Sequence, residues 1–267
     1  MHLGVNVPNY GPGTDPGVLR EWARLVEGLG FDLLMVSDHV VVTPDVAVRY
    51  PEPFFEPFTT LSWLAGITTR VRLGTTVIVL PYRHPLLVAR MASNLDELSG
   101  GRLVLGVGAG GARQEFEALG VPFTERGRLT DQCLTVLRQE WGAQSSIPIW
   151  VGGNSDAAIR RSVRFGGAWH PLRFTLPFLR DAVTRHSPPA LAPRVAFRLT
   201  TSPVDDPERL AGTGSLEQVL DDLDELRRRG ADTVVLDPYH GDPEETRRPD
   251  TAWRALTTVA THWRTAP

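Results

Sequence analysis

Two hydrophobic patterns alternate along the chain. In the first, apolar residues crowd together with few charges between them. This pattern fits His2–Pro8, Phe31–Asp38, Val71–Leu80, Arg102–Gly108, Ile147–Gly152, Gly167–His170, Arg194–Thr201 and Asp232–Asp237. Dense Val, Leu and Ile without alternation marks strands buried on both faces of a parallel sheet. In the second, apolar residues recur every three or four positions. This predicts helices over Pro16–Leu29, Pro57–Thr69, Pro85–Leu98, Arg128–Trp141, Asp156–Phe165, Leu176–Arg185, Leu216–Arg229 and Thr251–Trp263. Asp15-Pro16 and Asn154-Ser155 supply start signals, and Gly30 and Gly230 stand where helix C-terminal glycines belong. Eight strand–helix units predict an α/β fold, a (β/α)8 TIM barrel, as a single domain over residues 1–267. A doubly wound open sheet is the alternative.

In such a barrel the chemistry gathers at the C-terminal ends of the strands. That rim would bring together Pro8-Asn9, Asp38-His39, Val79–His84, Gly108–Gly111, Gly152–Ser155, Trp169-His170, Thr200–Ser202 and Asp237–His240. His39 beside Asp38 is a candidate general acid or base oriented by the neighbouring carboxylate. A histidine that only braces the strand end is the plainer alternative. Gly152-Gly153-Asn154-Ser155 leads into a helix whose first N–H groups suit a phosphate, or is merely a capped turn. Gly106-Val107-Gly108-Ala109-Gly110-Gly111 has GxGxxG spacing but falls at the fourth strand, so it carries little weight as a dinucleotide fingerprint. His39, His84 and His170 could suggest a metal, but no HxH or HExxH occurs, and no metal site is expected. Trp150 and Trp169 read as packing residues, and Arg227-Arg228-Arg229 as a solvated helix end.

Composition narrows the chemistry. All 28 basic residues are arginine. Without lysine there is no side-chain Schiff base and no P-loop. A net charge of −3 gives no reason to expect nucleic acid as a partner. The single cysteine, Cys133, excludes an internal disulfide and reads as a packing residue. Met1–Pro8 has no charged, apolar leader, and no run of about 18 apolar residues occurs. A cytoplasmic protein acting on a small molecule away from membranes is the expectation.

Several motifs carry a resemblance. They are Ser37-Asp38-His39, Arg72–Thr75, Pro81–Pro85, Leu95–Arg102, Gly106–Gly110 and Trp150–Asn154. In this order the chain resembles the luciferase-like monooxygenase superfamily, and most closely its branch of oxidoreductases that use coenzyme F-420, an 8-hydroxy-5-deazaflavin. The resemblance implies a proton-transferring role for His39 beside the reactive face of the cofactor. It also implies cofactor contacts from Asp38, Thr76, Val77, Gly108, Ala109, Gly110, Gly152, Gly153, Asn154 and Ser155. It implies a non-prolyl cis peptide at Thr76–Val77, where the residues alone read as ordinary strand. It implies a homodimer through the helices after strands two and three, the second of which offers Leu86, Leu87, Met91 and Leu95.

Two departures from the family pattern stand out. Relatives carry an insertion of roughly thirty residues before the IPIWVGG strand, longer than an ordinary connection. Here Gly142–Ser146 replace it, which should leave the pocket more open. Where some relatives place a second acid or base after the strand-four glycines, this chain has Gly111. Glu115, a helical turn further on, reads as a weak substitute. The implied activity is hydride transfer between coenzyme F-420 and a small organic substrate. An FMN-dependent monooxygenase is the first alternative, and a non-catalytic flavin-binding or interaction barrel the second.

Overall fold

A computed structural model describes residues 1–142, 145–165 and 167–265. The strands are β1 (His2–Asn6), β2 (Leu33–Val36), β3 (Arg72–Thr75), β4 (Ile78–Val79), β5 (Leu103–Gly108), β6 (Ile149–Gly152), β7 (Ala168–His170), β8 (Arg194–Ala196), β9 (Arg198–Leu199), β10 (Thr213–Gly214) and β11 (Thr233–Asp237). All pairings in the main sheet are parallel, and its order is β7-β6-β5-β3-β2-β1-β11-β8. The two ends of that order meet. Trp169 N–H donates to the Ala190 carbonyl at 2.8 Å, Ala192 N–H to Trp169 at 2.9 Å, and Arg194 N–H to Pro171 at 2.8 Å. The sheet is therefore a closed eight-strand barrel, and the open-sheet alternative falls. β9 and β10 form a separate parallel pair beyond β8.

The predicted third strand is interrupted. The Thr76–Val77 peptide is cis, as the resemblance implied. β3 pairs with β2 and the first half of β5, and β4 with the second half of β5. The side chain of Val77 fills space left by two glycines. A Cβ on Gly108 would lie 2.6 Å from one Val77 methyl, and a Cβ on Gly152 would lie 2.7 Å from the other. Part of the glycine signal at the rim thus serves packing around this bulge.

The eight predicted helices are present as α1 (Pro16–Gly28), α3 (Pro57–Ala65), α4 (Pro85–Ser99), α6 (Arg126–Trp141), α7 (Asp156–Phe165), α8 (Leu176–His186), α9 (Leu216–Arg228) and α10 (Pro249–Thr265). Two short helices, α2 (Pro44–Ala47) and α5 (Arg113–Ala118), lie in strand–helix connections at the rim and were not anticipated. Each is shorter than the window needed to read a period. The Asp15 carboxylate caps α1 by accepting from Val18 N–H at 2.8 Å. Ser215 and Gln218 form a reciprocal capping box on α9. Cys133 is 5% exposed in α6, and burial pushes its thiol pKa up, in keeping with a packing role. The chain passes from α6 to β6 through 142–148 without the longer insertion. No described helix is long and apolar enough to cross a membrane.

The barrel interior has two layers. The lower one is apolar and includes Leu33, Met35, Val104, Trp150 and Val235. Toward the C-terminal ends it gives way to a polar layer centred on Arg194. The Arg194 guanidinium donates to Asp237 Oδ2 from Nε at 3.1 Å and from Nη2 at 2.8 Å. Its Nη1 donates to the Thr76 carbonyl at 2.9 Å and to Thr76 Oγ1 at 3.1 Å. Asn6 Nδ2 donates to the other Asp237 oxygen at 3.0 Å. Burial pushes the Asp237 carboxyl pKa up, but Arg194, Arg173 and the Asn6 hydrogen bond outweigh it, and the net direction is down. His170 Nδ1 donates to the Ala192 carbonyl. Its Nε2 therefore accepts, and the Thr76 hydroxyl donates to it at 2.9 Å.

His170 is 1% exposed, and burial lowers its pKa to about 4, with Arg194 adding to the shift. The unfolded chain takes up a proton near pH 6.5, and the folded protein does so only near 4. Stability is therefore full above pH 6.5 and falls as pH drops toward 4, by an amount on the order of 3 kcal/mol. Denaturant midpoints measured between pH 7 and 4 should show this slope. The non-titrating His170→Gln variant should flatten it while being less stable at pH 7.

Candidate active site

A cleft of about 780 Å3 opens at the C-terminal ends of the strands. Its size is within the range of cofactor-binding clefts. His39, Thr76, Val77, Gly108, Ala109, Gly110, Gly152, Gly153 and Ser155 all line it, as does Asp38. Asn154 does not. Its amide braces the next loop instead, with Nδ2 donating to the Leu172 carbonyl at 2.7 Å and Oδ1 accepting from Leu172 N–H at 3.0 Å.

His39 is held by a partner other than the expected one. Its Nδ1 lies 2.7 Å from Glu115 Oε2. Glu115, in the unanticipated α5, is 0% exposed and accepts three further hydrogen bonds that fix its place. Val40 and Val41 N–H donate to Oε1 at 2.6 and 3.2 Å, and the Tyr82 hydroxyl donates to Oε2 at 2.9 Å. Burial pushes the Glu115 carboxyl pKa up, but the His39 contact and the two backbone N–H groups outweigh it, and the net direction is down. Glu115 is thus a carboxylate and can only accept, so Nδ1 of His39 carries the hydrogen. His39 Nε2 is left without a protein partner among the described residues. The sequence reading of Glu115 as a weak substitute understated it. The S/T/D-type capping and period signals that locate long helices are absent around α5, so nothing in the sequence directed Glu115 at His39.

Asp38 has a different task from the expected one of orienting His39. Its two oxygens take a bidentate pair from Arg83, at 2.7 and 2.8 Å, and Oδ2 also accepts from Val79 N–H at 2.8 Å. Burial pushes its pKa up despite Arg83. Asp38 therefore ties the end of β2 to β4 and to the following turn. Of the remaining histidines proposed at the rim, His84 caps α4 through Leu86 N–H at 3.3 Å, and His170 belongs to the polar layer. Among the described residues no cluster of His, Cys, Asp or Glu is arranged to hold a metal ion.

The far end of the cleft is suited to an anion. Gly152, Gly153 and Ser155 lead into the N-terminus of α7, and Gly153 has φ +118°, a conformation open to glycine. Two arginines join them. Arg161 is anchored by Asp131 at 2.5 Å and by the Gly127 carbonyl at 3.2 Å. Arg126 donates to the Phe123 carbonyl at 3.0 Å and lies over the Phe123 ring at 4.0 Å, with no carboxylate partner among the described residues. Neither was predicted, because among 28 arginines no local signal separates these two. At the other end, Tyr50 lies 5.3 Å from the His39 ring, and Phe54 meets it edge-on at 5.4 Å.

The tautomer of His39 is open to test. Ring 15N shifts should report Nδ1–H in the wild type near neutral pH. Glu115→Gln places an amide donor against Nδ1 and should move the hydrogen to Nε2, with the cleft otherwise intact. An unchanged tautomer in that variant would show that Glu115 does not set it.

Comparison with known proteins agrees with this geometry. A profile of the luciferase-like monooxygenase family matches residues 1–210. An uncharacterized protein of Mycobacterium tuberculosis is 32% identical over 181 residues, covering 55% of this chain and 63% of the relative's length. A second protein of that organism, named as a coenzyme F-420-dependent oxidoreductase, is 31% identical over 134 residues, covering 48% of this chain and 38% of the relative. Among solved structures, the oxygenating constituent of 3,6-diketocamphane monooxygenase from Pseudomonas putida, in complex with FMN, superposes with a TM-score of 0.74 at 14% identity, covering 97% of each chain. The coenzyme F-420-dependent tetrahydromethanopterin reductase of Methanopyrus kandleri gives 0.71 at 16%, again over 97% of each chain. With its closed parallel barrel, its interrupted third strand and a family match over most of its length, the chain belongs to the luciferase-like monooxygenase family.

Proposed function

We propose that this protein is an oxidoreductase in which hydride passes between coenzyme F-420 and a small organic substrate, with His39 exchanging the accompanying proton. The observation that carries the reading is the His39–Glu115 pair at the mouth of a cleft whose far end is suited to phosphate. When bound, a deazaflavin supplies a hydride-accepting or hydride-donating ring carbon. The residues of the chain supply the rest. Arg126, Arg161 and the N-terminus of α7 hold the anionic end. Val77, seated on Gly108 and Gly152, presents a fixed apolar surface to the ring. His39 Nε2, without a protein partner among the described residues, accepts or donates the proton. Glu115 stabilises the charged imidazole when it forms, as a buried carboxylate should.

The same anionic end and apolar bulge suit FMN, and an FMN-dependent monooxygenase is the second reading. Sequence relatives are named for both chemistries, and the resemblance of the rim motifs to the deazaflavin-using branch is what favours the first. Absorbance and fluorescence titrations with both cofactors separate them. Saturable binding of coenzyme F-420 at lower concentration than FMN is expected. Tighter binding of reduced FMN, with oxygen consumed on adding substrate, would move the assignment to the monooxygenase. Binding of neither would leave a non-catalytic barrel. With substrate in hand, His39→Ala should lower kcat by roughly 100- to 10,000-fold with little change in cofactor affinity or Tm. A fall in Tm with kcat intact would reduce His39 to a brace.

We also propose a homodimer through α3 and α4, on a narrower face than the sequence suggested. Leu95 is 1% exposed and belongs to the core, and Met91 packs against that core. Leu86, Leu87 and Leu98 remain, 49%, 52% and 76% exposed on one helix. Sedimentation at micromolar concentration should show a dimer, and Leu86→Glu with Leu87→Glu should yield monomer. A monomeric wild type would overturn this.

A further inference from the structure

A second cavity, of about 330 Å3, is separate from the cleft. It lies among the ends of β1, β8 and β11, against α1 and α10. Pro8, Trp22, Phe197, Tyr239, Ala252 and Ala255 give it apolar walls. The polar groups of those walls are sparse. The Tyr239 hydroxyl is spent on the Arg49 carbonyl. Trp22, 2% exposed, contributes its indole ring to the wall.

Arginine outnumbers acid on the lining of this cavity. Arg198 and Arg248 both line it, and neither side chain makes an ion pair or hydrogen bond among the described residues. Arg83, Arg161, Arg194 and Arg209, by contrast, each hold a carboxylate. α10 begins here, with Pro249, Thr251 and Ala252 in the lining, so the positive end of a 17-residue helix adds to the two guanidinium groups. Glu245 is the acid on the lining, and its Oε2 is turned to the His240 N–H at 2.7 Å.

An apolar chamber with unpaired cations and a helix N-terminus at its edge is complementary to a small hydrophobic anion. We propose that this cavity is a second small-molecule site, for a compact apolar carboxylate of the aromatic-acid class. Its hydrocarbon body lies among Trp22, Phe197 and Tyr239, and the carboxylate meets Arg198, Arg248 and the start of α10. The proposal is independent of the flavin chemistry. Tyr239 also belongs to the aromatic layer on the other side, 5.1 Å from Tyr10, which in turn lies 5.0 Å from Tyr50. That layer separates the cavity from His39.

Calorimetric titration with benzoate tests the site, with benzyl alcohol as the uncharged control and with FMN or coenzyme F-420 added as competitors. Saturable benzoate binding is expected, with benzyl alcohol weaker by roughly tenfold or more. The double change Arg198→Ala with Arg248→Ala should weaken benzoate to a similar degree and leave benzyl alcohol unaffected. Ala255→Phe, which fills the chamber, should abolish both. If that variant does not fold, Ala252→Phe serves in its place. Absence of saturable benzoate binding, equal affinity for the alcohol, binding that survives a folded chamber-filling variant, or displacement by either cofactor would each overturn the proposal.

Discussion

A buried positive charge organises the centre of this barrel. Arg194 is 5% exposed, and its guanidinium sits where the apolar filling of the barrel ends. A charge so placed is tolerable only if its hydrogen bonds are met and an opposite charge is near. Asp237, at the end of the last strand, supplies the charge, and Asn6 on the first strand completes Asp237. The remaining nitrogen of Arg194 reaches across to Thr76. One side chain thus ties the last strand of the barrel to the interruption in the third, and removing Asp237 would leave Arg194 buried without its counter-charge, at a cost of about 3–5 kcal/mol. Thr76 then has no freedom left, because its hydroxyl also donates to His170.

What stands on this floor follows from it. With Thr76 fixed, Val77 projects against Gly108 and Gly152, and these three make the apolar bed of the cleft. Asp38 secures the other side of the same interruption by accepting from Val79 N–H and holding Arg83. His39, the next residue, is left free to turn to Glu115 rather than to its sequence neighbour. The division is chemically sensible. A carboxylate already committed to an arginine is a poor partner for an imidazole that must change charge, whereas Glu115 is balanced only by N–H and O–H donors.

Much of the fold was legible because long buried strands and long amphipathic helices declare their periods. The eight units, their order and most of their ends are where the apolar pattern places them. Short rim elements were not legible. α2 and α5 are too brief to show a period, yet α5 carries the carboxylate that sets His39. Asn154 illustrates the reverse. Its place in a glycine-rich turn suggested a ligand contact, but its amide is complementary to the Leu172 backbone and is spent there. The interrupted strand was visible only through family resemblance, since Thr76 and Val77 are as apt for a regular strand as their neighbours.

The sequence by itself determined the barrel, the placing of His39 and the glycine-rich turns at one rim, and the exclusion of lysine-dependent chemistry. These depend on local period and on residue type, which a linear chain displays in full. Tertiary structure alone decided which charged group faces which. Glu115 rather than Asp38 for His39, and Asp237 for Arg194, are pairings across 76 and 43 positions of chain. They are set by how strands and rim helices close around the cleft, and a side chain's partner at such separation leaves no mark in the residues beside it.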